Sequence, residues 1–192
     1  NGSKKEQKIL KKIGKLRYQV LFLDGPHENY DLLGEYPVTE WNGGRAQIIE
    51  GKLVHLLRGE LYTLEYETYF AFGGGESPDL DVRSPSQGWW EQEAPSAEEM
   101  TAGRERLAAC DNKVDFIITH EFPGKVGGYL GTRGARLNGI NVYLGLIETS
   151  VQYGRWFFGS LHLDKLFSKS MLAVFQQIVP VHELPPKGRR KP

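Results

Sequence analysis

One cysteine, Cys110, stands in 192 residues. An intramolecular disulfide is excluded, and a reducing cytoplasmic compartment is the expected location. Neither sign of charge is in excess, because 24 lysines and arginines face 24 aspartates and glutamates. With no net field, the composition argues against a nucleic-acid partner and against an anionic membrane surface. No apolar run approaches the roughly 18 residues that cross a bilayer, and the opening NGSKKEQK carries no apolar signal-peptide region. No internal repeat or dividing linker interrupts the chain. It therefore reads as a single domain over 1–182, and the basic, proline-rich 183–192 is expected to be a disordered tail.

Glycine, by contrast, is plentiful at 23 residues, which suits a turn-rich α/β fold better than a helical bundle. Ile9, Leu10, Ile13 and Leu16 fall at helical spacing among lysines, so 4–15 reads as an amphipathic helix packed on a sheet. Asn42-Gly43-Gly44 is a strong turn signal. After it, 45–50, 52–57, 60–65 and 68–72 read as short strands of an antiparallel meander, with His55 as a structural histidine within it. Gly73-Gly74-Gly75 lacks the lysine of a nucleotide-binding loop and reads as a close-packed turn. The polar 76–92 is a candidate lid, with Trp89-Trp90 at its end pinning it to the body. Ser96 and Glu99 form a capping box that opens a helix to about Ala109. Another helix is marked by Ile140, Tyr143, Leu144, Ile147 and Val151, and 116–119 and 155–158 read as strands. The stretches 171–175 and 177–181 suggest a closing hairpin.

Residues 18–31, YQVLFLDGPHENYD, are the centre of the chain. A short apolar strand ends abruptly in Asp24-Gly25-Pro26-His27-Glu28, and ligand sites of open α/β sheets lie beyond the strands' carboxyl ends. An ordinary polar surface loop would have the same composition. Two further apolar strands end in the same manner, in His120 and in Gly159-Ser160-Leu161-His162.

These three segments, in this order, resemble the calcineurin-like metallophosphoesterases. LDGPHE is similar to that family's Gly-Asn-His-Glu segment, FIITH to its strand ending in a metal-binding histidine, and FFGSLHLD to its Gly-His-x-His segment. The likeness spans about residues 4–181. It implies an α/β fold, a two-sheet β-sandwich flanked by helices, and metal-dependent hydrolysis of a phosphomonoester or phosphodiester. Carried over position by position, His27 is the catalytic histidine that assists the leaving group, and His120 and His162 are metal ligands. The metal would be a divalent Mn, Zn or Fe ion. Arg133 and Arg136, on a glycine-rich stretch, could grip the phosphate of a phosphorylated small molecule or another anion.

The departures bear on activity. Pro26 stands where the family has a coordinating asparagine, and Ser160 replaces an imidazole with a hydroxyl that binds such metals poorly. No Asp-x-His and no Gly-Asp occur in the chain, so the strands that carry the bridging carboxylate in the family are expected to be missing. Asp24, Glu28, Glu121 and Asp164 lie near the histidines in sequence and could furnish substitutes. Three readings stand: an active divergent hydrolase, a non-catalytic descendant binding an anion or a protein, and a piece of a longer enzyme. Missing strands would also leave a sheet edge open to self-association or to a partner chain that completes it.

Overall fold

The computed structural model describes residues 2–77, 90–129 and 137–183. The chain enters as helix α1 (Lys4–Gly14), whose Ser3 side chain accepts from the Glu6 N–H. Strand β1 (Val20–Phe22) and the short α2 (Tyr30–Gly34) follow, then β2 (Val38–Trp41), β3 (Gly44–Glu50) and β4 (Leu53–Leu56). Next come β5 (Glu60–Leu64), β6 (Glu67–Phe72), α3 (Ala97–Ala109) and β7 (Lys113–Thr119). Helices α4 (Gly124–Tyr129) and α5 (Gly139–Ser150) lead to β8 (Gln152–Phe158), β9 (Lys165–Leu166) and β10 (Met171–Ala173).

Two mixed sheets result. The first has the order β1-β4-β3-β2, with β1 parallel to β4; the second has the order β5-β6-β7-β8-β10-β9. Within the second, β6, β7, β8 and β10 run parallel, and β5 and β9 are antiparallel edges. The strands expected to form a single meander are divided between the two sheets. β2, β3 and β4 pair antiparallel in the first sheet, but β5 and β6 form their hairpin in the second. The chain crosses between sheets at Arg58-Gly59, where Gly59 has φ +71° and a Cβ would lie 2.9 Å from the Gly103 Cα. The expected closing hairpin is also replaced, since β10 pairs with β8 in parallel and with β9 antiparallel.

Alternation along the strands sorts the core into two layers. Tyr69, Ala71, Phe116 and Phe157 face Val54, Leu56 and Ala46 between the sheets. Phe70, Phe72, Trp156 and Phe158 face the other way, onto Leu107 of α3 and Ile140, Tyr143, Leu144 and Ile147 of α5. Burying aromatic and aliphatic side chains of this size contributes about 2–3 kcal/mol each. On the opposite side α1 packs on the first sheet, so closely that a Cβ on Gly14 would lie 2.2 Å from the Glu50 carbonyl oxygen. The order of layers is thus helix, sheet, sheet, helices. β1 is an outer strand, and no described strand pairs with its second edge.

Candidate functional site

Four strands, β1, β6, β7 and β8, deliver their carboxyl ends to one place. The loops there are stitched by backbone hydrogen bonds: Gly74 N–H to Asp24 O (2.9 Å), His120 N–H to Phe72 O (3.2 Å) and Ser160 N–H to His120 O (2.9 Å). The glycine run is a close-packed turn, as its sequence suggests. A Cβ on Gly75 would lie 2.5 Å from Pro26 and 3.2 Å from the His120 Nδ1, and one on Gly25 would lie 2.8 Å from the His120 ring.

His120 is half-buried against this turn. Its Nδ1 faces the Gly74 carbonyl at 3.1 Å, so that nitrogen donates and the lone pair sits on Nε2. Burial pushes its pKa below the ordinary histidine value, and the charge of nearby His162 acts in the same direction. Glu121, the Gly74 carbonyl and Asp24 oppose that shift. His162 is exposed, has φ +50°, and stacks on Phe175 with ring centroids 5.1 Å apart. The Oγ of Ser160 is buried with no hydrogen-bond partner among the described residues.

His27 sits on the same loop in a left-handed conformation, φ +74°. Its backbone N–H donates to Oε1 of the buried Glu93 at 3.2 Å. The His27 side chain lines a separate hollow of about 560 Å³, shared with Phe22, Glu28, Leu32 and Trp90. Trp90 is pinned to the body, its indole N–H donating to Asp31 (3.0 Å). Arg133 and Arg136 lie outside the described residues, as do 78–89 of the candidate lid.

Of the four carboxylates near the histidines, Asp24 and Asp164 are fully engaged. Asp24 is 1% exposed, its Oδ2 taking Nε of Arg58 at 2.8 Å, the Arg58 Nη2, and the Tyr30 hydroxyl at 3.0 Å. Its Oδ1 takes the His55 Nε2 at 3.2 Å. Burial alone would raise this carboxyl, but the His55 hydrogen bond and the Arg58 charge outweigh it and hold its pKa down to about 2. His55 is the structural histidine that its strand position suggests. Gln47 donates to the Leu33 and Tyr36 carbonyls (2.9 and 2.8 Å), which orients its amide and turns Oε1 to the His55 Nδ1 (2.8 Å). Both ring nitrogens therefore face acceptors. Asp164 caps a turn, accepting from the amides of Phe175, Gln176 and Gln177. Glu121 accepts from Asn141 at 3.4 Å and lies 3.9 Å from His120. Glu28 faces the His27 hollow, and burial, with the charge of Asp24, raises its pKa.

Arg58, Tyr30, Gln47 and Glu93 carry this architecture and went unnoticed in the sequence. Arg58 ties the first loop to the carbonyl of Gln92 (2.7 Å) and to Glu99 on α3 (3.2 Å). Its only local signal is a turn dipeptide with glycine. A groove of about 740 Å³ opens beside this network, but the polar groups at its floor are satisfied by one another. Among the described residues, no three His, Cys, Asp or Glu side chains are grouped to hold a metal ion. The described residues by themselves therefore do not make up a two-metal centre. Comparisons with protein-family models, with curated proteins and with solved structures each return no match.

Proposed function

We propose that the chain is a metallophosphoesterase-like domain whose metal-dependent phosphoester hydrolysis is impaired or lost. Its loop cluster around His120 and His162 would instead bind a phosphate-like anion or phosphorylated small molecule. The observation that carries this reading is the convergence of β1, β6, β7 and β8, which sets Gly25, Gly75 and His120 in contact. Two mixed sheets between helix layers support it further. The edge of β1 that no described strand pairs is where a partner chain or second copy would complete the sheet.

The test is calorimetric titration of phosphate and p-nitrophenyl phosphate into the wild type and into His120→Ala, alongside a hydrolysis assay with added Mn²⁺ or Zn²⁺. The reading expects saturable binding weakened by His120→Ala, with no turnover above the metal blank. Metal-dependent turnover abolished by His120→Ala would instead establish the divergent hydrolase, with Glu121 as the nearest carboxylate to its histidine ligand.

A further inference from the structure

The zero net charge of the chain hides a strong segregation. Residues 1–17 hold seven of the 24 cationic residues and one of the 24 acidic ones, a local excess of six. Lys4, Lys5, Lys8, Lys11, Lys12 and Lys15 lie on α1 or at its carboxyl-terminal cap, and all six are exposed. At 3.6 residues per turn they fall within about 120° of arc and form a ridge about 16 Å long. The opposite side of the helix carries the half-buried Leu10 and Ile13 and the buried Gly14 against the first sheet. None of the six lysines is paired with a carboxylate among the described residues. Lys4 and Lys5 also occupy the first turn, where the helix dipole disfavours cations.

We infer that the lysine ridge of α1 is a docking surface for the phosphate backbone of double-stranded nucleic acid, read without sequence preference. The ridge is straight, rigid and cationic along its whole length, which complements a line of phosphates. A single exposed aromatic nearby, Tyr18, does not make the stacking platform that single strands use. A membrane fits less well. Basic amphipathic helices bind bilayers by sinking their apolar face, and here that face is spent on the sheet. This inference does not depend on the proposed function of the strand-end loops.

The experiment is fluorescence anisotropy of a labelled 20-base-pair DNA duplex titrated with the full chain from low to physiological salt. With four or more phosphates engaged, log K against log salt should fall with a slope of about −4 or steeper. Replacing Lys4, Lys8, Lys11 and Lys15 together by Gln should weaken low-salt binding by about tenfold or more and flatten the slope by about 3. The substitutions are all at exposed positions, and an unchanged thermal transition would verify folding. A second variant neutralises Lys187, Arg189, Arg190 and Lys191, which lie outside the described residues, and should bind as the wild type does. The inference is overturned if the duplex does not bind at low salt, or if the tail variant loses as much affinity as the ridge variant. It is equally overturned if phosphatidylserine-containing vesicles bind and the duplex does not.

Discussion

Replacing Arg58 by Met tests the electrostatic hub directly. The wild-type guanidinium is 9% exposed and the Asp24 it neutralises is 1% exposed. Its removal leaves a buried carboxylate with only His55 and Tyr30, and frees the Gln92 carbonyl and Glu99. Removing one partner of a buried pair costs about 3–5 kcal/mol. Asp24→Asn in the same background takes away the stranded charge, so the double variant should be less destabilised than the two single costs predict. The acid limb gives a second reading. Asp24 titrates near 3.8 when unfolded and is held down to about 2 when folded. A depressed carboxylate contributes stability above its unfolded pKa, and that contribution disappears as pH falls through the folded value. The wild type should therefore lose about 2 kcal/mol between pH 4 and pH 2 through this one group. Asp24→Asn should lack that share of the slope. Urea unfolding at pH 7 and at steps from 4.5 to 2 measures both effects. A cost below about 1 kcal/mol for Arg58→Met, or parallel acid limbs for wild type and Asp24→Asn, would refute the reasoning.

Two further outcomes are expected. Gly73→Ala would put a methyl 2.0 Å from the Asp24 Oδ1 and 2.9 Å from its backbone oxygen. That overpacking should cost about 2 kcal/mol and lower the thermal midpoint by about 4–8 °C; an unchanged midpoint would mean the turn does not press on the carboxylate. Lys8→Glu sets a carboxylate one turn from both Lys4 and Lys12 on α1. Turning these two like-charge pairs, and those with Lys5 and Lys11 three residues away, into opposite ones should stabilise by about 1 kcal/mol or more and raise the midpoint by a few degrees. A lower midpoint in differential scanning calorimetry would show that the ridge is not under mutual repulsion.

Features fixed within a few residues were legible in the sequence. Ser96 and Glu99 cap α3 reciprocally, as their spacing predicts. Asn42 and Gly43 both take positive φ in the turn from β2 to β3. The apolar runs before Asp24 and His120 are strands ending where their polar residues begin. What depended on pairing across the chain was not legible. Glu50-Gly51 and Arg58-Gly59 look alike as turn signals, yet the first closes a hairpin and the second carries the chain into the other sheet. Local turn chemistry sets a reversal without naming the partner strand. In the same way, nothing beside Arg58 in sequence announces that its charge is buried, because both Asp24 and Glu99 reach it from far along the chain.

The same long-range pairing determines what the strand-end loops can still do. A carboxylate serves a ligand only if its lone pairs are not already committed. Asp24 is committed to Arg58, His55 and Tyr30, and Asp164 to three backbone amides. Recruiting either to a cation would break bonds that hold a loop in place, and for Asp24 would leave Arg58 buried without its closest counter-charge. An anion makes no such demand. It would meet the His120 imidazole, whose Nδ1–H is anchored on Gly74 and whose Nε2 must take up a proton before it can donate to that ligand. Among the described residues, the proposed anion therefore leaves the bonds of Asp24 and Asp164 intact, whereas a metal ion drawing on either would not. Opposing features are the Glu121 carboxylate 3.9 Å from His120 and the unpaired Oε2 of Glu93 beneath the His27 loop.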